Sequence, residues 1–269
     1  VAEMSEAEAE DVLLTERDGD LLRLTLNDPR RANALSPPLL EALTNVYSRP
    51  LREEGVRAVI LRGAGKHFSA GADLAHLKSL QSASYEDNLE DSRKLRALFE
   101  SVLRQEALTI ALVQGACVAG GCGLATAHDF VVAAEGSKYL YSEVRIGFVA
   151  ALVATYLPLR VRGSHARELL LNPQFLDAAS AAEIGLVNRV VAEGDLVAEG
   201  DALADQVLRG GSSESIARTK RLLLDVIGAP LDEAFERAVL ANAEARGTDD
   251  CQRGISTFLE KKSTPNWRE

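Results

Sequence analysis

Two glycine-rich segments, Ser69-Ala70-Gly71-Ala72-Asp73-Leu74 and Ala119-Gly120-Gly121-Cys122-Gly123-Leu124, each follow an apolar run and each open a segment of helical character. A helix start leaves backbone N–H groups unpaired, so two such turns side by side can aim two donors at one point. Converging donors of this kind hold a carbonyl oxygen as it gains negative charge, for example on becoming an enolate. Downstream of the second turn, at the end of another short apolar run, stands one carboxylate, Glu143. Two donors and a carboxylate suit proton chemistry beside a carbonyl.

Each turn taken alone has a plainer reading. Gly71 supplies the positive φ that a tight bend needs, Asp73 suits the cap of the next helix, and small residues at 119–124 allow close helix–strand packing. Other chemistries fit less well. Gly63-Ala64-Gly65-Lys66 lacks the earlier glycine of a phosphate loop, where Ile60 stands, and is followed by His67 instead of Ser or Thr. A dinucleotide fingerprint would need glycine at Phe68, and His67-Phe68-Ser69-Ala70-Gly71 lacks the first glycine of a nucleophile elbow. The three cysteines form no CxxC pair and the four histidines no HExxH pair, so no metal is expected and the thiols are expected buried and reduced.

The elements that must position these residues follow from the apolar pattern. Leu21–Leu26, Val56–Leu61, Leu108–Val113 and Phe130–Ala134 read as strands, with Lys138–Tyr141 short and extended. Ser36-Pro37-Pro38 starts a helix running to about Tyr47, and Leu89–Gln105 has helical spacing. The polar stretch Lys78–Asn88 reads as a mobile surface segment. Strands alternate with helices to about residue 145, which predicts crossover units with largely parallel strands. Beyond Val149 helices dominate, at 166–171, 178–184, 196–208, 215–226, 231–245 and 251–262, interrupted by one strand at 186–191. The composition shifts gradually, without a Pro/Ser linker, so one domain is expected.

At 269 residues and 46% hydrophobic content the chain can bury a large core. A formal net charge of −10 argues against a general nucleic-acid or anionic-membrane surface, though not against a local anion site. No apolar run is long enough to span a bilayer, and Val1–Asp11 is acidic, unlike a signal peptide, so a cytoplasmic protein with a frayed tail is expected.

These residues also carry a family resemblance. Asn27-Asp28-Pro29-Arg30-Arg31-Ala32-Asn33-Ala34-Leu35-Ser36 resembles the opening motif of the enoyl-CoA hydratase/isomerase (crotonase) family. Residues 58–74 and 114–125 are similar to its two signatures, 169–191 to a later segment, and 247–250 with 254–261 to its C-terminus. The resemblance implies an α/β fold built as a spiral of ββα repeats over about 12–195, with a C-terminal helical region over about 196–262 and a flexible tail at 1–11. It also implies an acyl-CoA thioester substrate, no cofactor beyond the CoA that substrate carries, and a homotrimer or a hexamer made of two trimers. By residue matching, the backbone N–H groups of Ala72 and Gly120 are the oxyanion donors and Glu143 the acid/base. Arg30, Arg31 and Ala32 match the segment along the adenine and phosphate end of CoA. Ala70, Asp73, Leu74 and Gly121 match further substrate contacts, and Phe258 and Lys261 match C-terminal positions that reach CoA. The acyl pocket is expected between Lys78–Arg104 and Phe148–Tyr156.

The chain departs from the family pattern in two places. Two-glutamate hydratases of the family carry Glu where this chain has Gly123, and Ala150-Ala151 stands where Pro-Gly is usual. Hydration divides its work easily between two carboxylates, whereas one is enough for a 1,3 proton shift. That chemistry makes a Δ3,Δ2-enoyl-CoA isomerase the rival, but Ser142-Glu143-Val144-Arg145-Ile146-Gly147 together with Gly123 resembles a hydratase branch of the family, so the resemblance implies an enoyl-CoA hydratase. A hydratase for carboxylated, methylglutaconyl-type acyl-CoAs and a CoA-binding or RNA-binding non-enzyme are further alternatives. If the missing carboxylate is the only defect, Gly123→Glu should raise hydration.

Overall fold

The computed structural model describes residues 11–268, so the tail expected at 1–11 lies, Asp11 apart, outside the described residues. Strands β1 (Leu13–Asp18) and β2 (Leu21–Leu26) pair antiparallel around Gly19 and lead into helix α1 (Pro37–Tyr47). Strand β3 (Ala58–Gly63), helices α2 (Leu74–Leu80) and α3 (Tyr85–Arg104), and strands β4 (Leu108–Val113) and β5 (Ala116–Val118) follow. Next come α4 (Gly120–Ala127), β6 (Phe130–Ala134), β7 (Lys138–Leu140), α5 (Val153–Arg160) and α6 (Gly163–Leu171). The chain continues through β8 (Leu176–Asp177), α7 (Ala178–Glu183) and β9 (Arg189–Val191). It ends in α8 (Leu196–Gly210), α9 (Ser213–Asp225), α10 (Leu231–Arg246) and α11 (Asp249–Lys261).

One sheet has six strands in the order β1-β2-β3-β4-β6-β9, and every pair after the first is parallel. A second sheet orders β5-β7-β8. Successive units send one strand to the large sheet, a short strand to the small sheet and then a helix, as in β4-β5-α4 and β6-β7-α5. This is the expected ββα spiral. Isolated bridges from Ser69 to Cys117 and from Leu35 to Ala72 extend the small sheet, so the first glycine-rich turn is hydrogen-bonded alongside the strand that feeds the second.

The large sheet is buried on both faces, which explains its continuous apolar runs. Leu24, Leu26, Val59, Leu61 and Val131 pack with α1, α3 and α4 on one side. Ile60, Ile110 and Leu112 meet Leu203, Ala204 and Leu208 of α8 on the other.

Several boundaries differ from the sequence reading. The stretch Lys78–Asn88 is largely helical: Asp73 caps α2, and a Ser84/Asp87 capping box starts α3 at Tyr85. β3 sits two residues further along than read, and in 186–191 only Arg189–Val191 pairs. Leu186 and Val187 instead bury in the core while Asn188 N–H donates to the Val131 carbonyl at 2.9 Å. β1 has no apolar alternation because it is a largely exposed edge strand. Ser36 caps α1 without a side-chain hydrogen bond, and the prolines at the first two helical positions offer no N–H for one.

His128 shows how polar groups are satisfied in this core. Its Nδ1–H donates to the Leu124 carbonyl at 2.8 Å, so its Nε2 accepts from the Tyr47 hydroxyl at 2.7 Å. Burial pushes its pKa down to about 3. The unfolded chain then takes up a proton below about pH 6.5 that the folded protein refuses, so stability is full above that pH and falls as pH drops toward 3. Urea unfolding at pH 7, 6 and 5 should show wild type losing up to ~1.4 kcal/mol per pH unit from this group, with His128→Gln giving a flatter dependence. Identical slopes for both proteins would contradict the assignment.

Candidate functional site

The two glycine-rich turns meet. Val118 N–H donates to the Ser69 carbonyl at 2.9 Å, which zips the first turn to β5. Gly71 has φ 84°, and a Cβ built there would lie 2.5 Å from the Val118 oxygen and 3.3 Å from the Gly120 nitrogen. Gly121 packs as tightly, because its Cβ would fall 2.8 Å from both the Ser69 Cβ and the Ser69 carbonyl. Only glycines let the two backbones approach this closely.

That approach sets the direction of two donors. The Gly71 carbonyl accepts from Leu35 N–H at 2.7 Å, so the N–H on the far side of that trans peptide, belonging to Ala72, points the opposite way. The Ala119 carbonyl accepts from Gly123 N–H at 3.1 Å, which sends the Gly120 N–H outward from the helix start. Neither the Ala72 nor the Gly120 N–H donates to any described residue. Gly120 is also the first residue of α4, where the helix dipole favours negative charge.

Ala119 adopts φ 47° and ψ −120°, a conformation that favours glycine. Its N–H donates to the Leu140 carbonyl at 2.7 Å, which helps hold the strained turn. α4 is almost wholly buried. Its far end is clamped by Arg160, which donates to the Thr126 carbonyl at 3.2 Å and the His128 carbonyl at 2.6 Å. A cation at a helix C-terminus complements the dipole that Gly120 presents at the other end.

Glu143 starts a short 3-10 turn, Glu143–Ile146. It is half-buried, and its Oε2 is buried with no hydrogen-bond partner. Burial raises its pKa above the usual carboxylate range, as the apolar surroundings in sequence led one to expect, while its own N–H and that of Ser142 oppose the shift. Arg145 is not its partner, since that guanidinium donates to the Pro173 carbonyl. The charge of Glu143 is felt by the Tyr156 hydroxyl, which places the two side chains in one region.

Gly123 belongs to the same region. A Cβ there would lie 2.8 Å from Val153 Cγ2, 2.9 Å from Phe99 Cζ and 3.0 Å from the Tyr156 hydroxyl. That hydroxyl donates to the Gly123 carbonyl at 2.9 Å. The place of the missing acid is therefore filled by a wall of one aliphatic and two aromatic side chains.

The segment Arg30-Arg31-Ala32 docks beside the first turn. Ala70 N–H donates to the Ala32 carbonyl at 2.8 Å. The buried Asn33 fastens the neighbouring loop: its Nδ2 donates to the carbonyls of Ala64 at 2.9 Å, His67 at 2.8 Å and Phe68 at 3.1 Å. Its Oδ1 accepts from Asp28 N–H at 2.9 Å. Arg31 lies between two carboxylates, 2.6 Å from Asp28 and 2.8 Å from Asp73. The buried Asp73 also accepts from the N–H groups of Ala75 and His76 to cap α2, so its carboxylate is fully engaged inside the protein. Arg30 makes no ion pair among the described residues, and Ala70, Ala72 and Leu74 are exposed. Phe258 and Lys261 lie on α11, which packs against α9 and α10. Among the described residues no three metal-capable side chains converge, and no helix is long and apolar enough to cross a membrane.

Sequence reasoning singled out the two turns and Glu143 but missed Asn33, Phe99 and Tyr156 as organisers of the site. Asn33 sits inside the quoted opening motif, which was a usable signal. Nothing in the local sequence marks Tyr156.

The family profile for enoyl-CoA hydratase/isomerase matches residues 16–269. The chain belongs to this family. A Thermus thermophilus protein named "Putative enoyl-CoA hydratase" is 44% identical over 248 residues, covering 91% of this chain and 96% of the relative. A mitochondrial Delta(3,5)-Delta(2,4)-dienoyl-CoA isomerase of Dictyostelium discoideum is 29% identical over 249 residues, covering 89% of this chain and 85% of that one. The crystal structure of a Mycobacterium smegmatis enoyl-CoA hydratase superposes with a TM-score of 0.89 at 31% identity, covering 97% of this chain and all of the other. The protein is thus an enzyme of the hydratase/isomerase family with the crotonase fold, and the non-enzyme alternative falls away.

Proposed function

We propose that this family member binds the thioester oxygen of an acyl-CoA between the Ala72 and Gly120 N–H groups and moves protons on the acyl chain with Glu143. The observation that carries this reading is the pair of unengaged backbone donors at turns in direct contact; the partnerless carboxylate oxygen of Glu143, whose charge reaches the Tyr156 hydroxyl bonded to the Gly123 carbonyl of the same helix, supports it. Enolate charge developing on the oxygen would be stabilised most strongly in the transition state, which is where such donors raise the rate. Burial raises the pKa of Glu143, which favours its proton-bearing form more than in an exposed carboxylate and suits a group that must return a proton as well as take one.

The reaction we assign is reversible hydration of a 2-enoyl-CoA, in line with the names of the relatives. The Δ3,Δ2 double-bond shift is the second reading, favoured by the absence of any acid at Gly123. Arg30, Arg31, Ala32 and Lys261 are assigned to CoA, the substrate's own carrier, with no separate cofactor. A trimer or a hexamer of two trimers accompanies this reading, supported by exposed apolar side chains on α10 and α11, among them Leu231, Phe235, Phe258 and Leu259. Sedimentation of the purified protein tests that part.

Rates on crotonyl-CoA, 3-hexenoyl-CoA and a methylglutaconyl-type CoA decide the reaction. Fastest turnover of crotonyl-CoA is expected, and fastest turnover of 3-hexenoyl-CoA would replace hydratase with isomerase. No turnover of any of them would overturn the reactions assigned here.

The filled wall changes the expectation for Gly123→Glu. The new side chain would have to displace Phe99, Val153 and Tyr156, so the variant should lose stability by about 1–3 kcal/mol and hydrate crotonyl-CoA more slowly, not faster. A rise in hydration rate at unchanged Tm would show that the wall yields.

A further inference from the structure

Gly120 and Gly123 lie three residues apart on α4, on neighbouring parts of one helix face. Gly123 is therefore ~4.5 Å along the helix from the oxyanion donor. An acyl chain whose carbonyl sits at Gly120, and which runs along this face, reaches Gly123 within roughly its first four carbons. There it meets Phe99 and Tyr156, packed edge-to-face with ring centroids 5.9 Å apart. Both rings are nearly inaccessible, at 3% and 5% exposure.

On their other side the same two rings line a cavity of about 220 Å³, walled further by Leu103, Leu152 and Leu224. Arg96, Glu100, Arg104 and Thr155 complete its lining, so Phe99 and Tyr156 separate the Gly123 face of α4 from a space with leucine walls and a charged, exposed rim. Tyr156 is held in place by its hydrogen bond to the Gly123 carbonyl. Phe99 has no polar anchor and stands on α3.

We propose that the Phe99–Tyr156 pair is a partition that sets acyl chain length, restricting this enzyme to short acyl-CoAs and closing off the cavity behind it. This rests on the acyl-CoA reading given above. Phe99 is the specificity-determining residue, because truncating it joins the cavity to the acyl site without removing the hydrogen bond of Tyr156.

The test compares crotonyl-CoA with trans-2-decenoyl-CoA for wild type, Phe99→Ala and the milder Phe99→Leu, whose side chain lacks the ring tip that touches Gly123. Binding of butyryl-CoA and decanoyl-CoA, measured by calorimetry, supplies a readout independent of turnover. Thermal melts identify a variant that fails to fold, in which case Phe99→Leu decides.

Wild type should favour the four-carbon substrate by at least ~10-fold in kcat/KM, and the folded variants should raise kcat/KM for the ten-carbon one by at least ~10-fold. Equal handling of both chain lengths by wild type would overturn the partition while leaving the acyl-CoA reading intact. So would an unchanged ranking in folded variants. If no substrate turns over but both saturated thioesters bind, the hydratase assignment fails and the binding ranking judges the partition. If neither thioester binds any of the three proteins, both readings fall.

Discussion

Glu143→Gln is expected to lower kcat by at least ~10²-fold while changing acyl-CoA binding only a few-fold. The glutamine keeps the shape of the side chain and removes only its ability to take and return a proton. Because its Oε2 has no partner to lose, no neighbouring hydrogen bond should collapse. The same substitution should also stabilise the protein. Burial raises the folded-state pKa of Glu143, so the contribution of this group to stability is full below the carboxylate's unfolded pKa and is lost as pH rises through the folded one. Above the folded-state pKa the native enzyme carries an ionised, half-buried carboxylate that the neutral amide replaces, so at alkaline pH the variant's Tm should exceed that of wild type. The difference should shrink near pH 4, where the glutamate is largely protonated. Single-turnover kinetics, with melts at alkaline pH and near pH 4, check both halves. Near-normal turnover in the variant would remove Glu143 from the mechanism.

Gly71→Ala should be comparably damaging for a geometric reason. A left-handed residue other than glycine costs about 1–2 kcal/mol. The added Cβ would also lie 2.5 Å from the Val118 oxygen, so the first turn must move away from the start of α4. The Ala72 N–H moves with it. Losing one aligned donor of this kind costs on the order of 10²–10³ in kcat. Gly19→Ala is the matched control, because Gly19 is also left-handed, at φ 59°, but has open space around its Cβ. Both variants should melt lower, yet only Gly71→Ala should lose most of its turnover. If the two keep equal kcat, the first turn does not contribute to the oxyanion site.

The sequence was most readable where one physical cause acted alone. Two-faced burial made β2, β3, β4 and β6 stand out as apolar runs, and the need for close backbone approach made Gly71 and Gly121 stand out as glycines. Glu143 was visible because a charge in apolar surroundings is unusual. Boundaries were less readable where side chains bond to nearby backbone: the caps at Asp73 and Ser84 turn the polar stretch after Leu74 into two helices. The contacts around Gly123 were not readable at all. Phe99 on α3 and the pair Val153 and Tyr156 on α5 lie more than twenty residues from position 123 on either side, and nothing local distinguishes them from ordinary core residues. Position 123 therefore looked like a vacancy when only its own residue type was considered.

Asn33 has a practical consequence for anyone recombining members of this family. Its one amide joins the loop at 28–33 to three carbonyls of the loop at 64–68, so the two stretches behave as a single heritable block. A chimera with a crossover between them inherits each half of that joint from a different parent. Its first glycine-rich turn keeps its place only when the foreign amide still meets all three oxygens, so functional breakpoints should be scarce between residues 34 and 63 and common outside that interval.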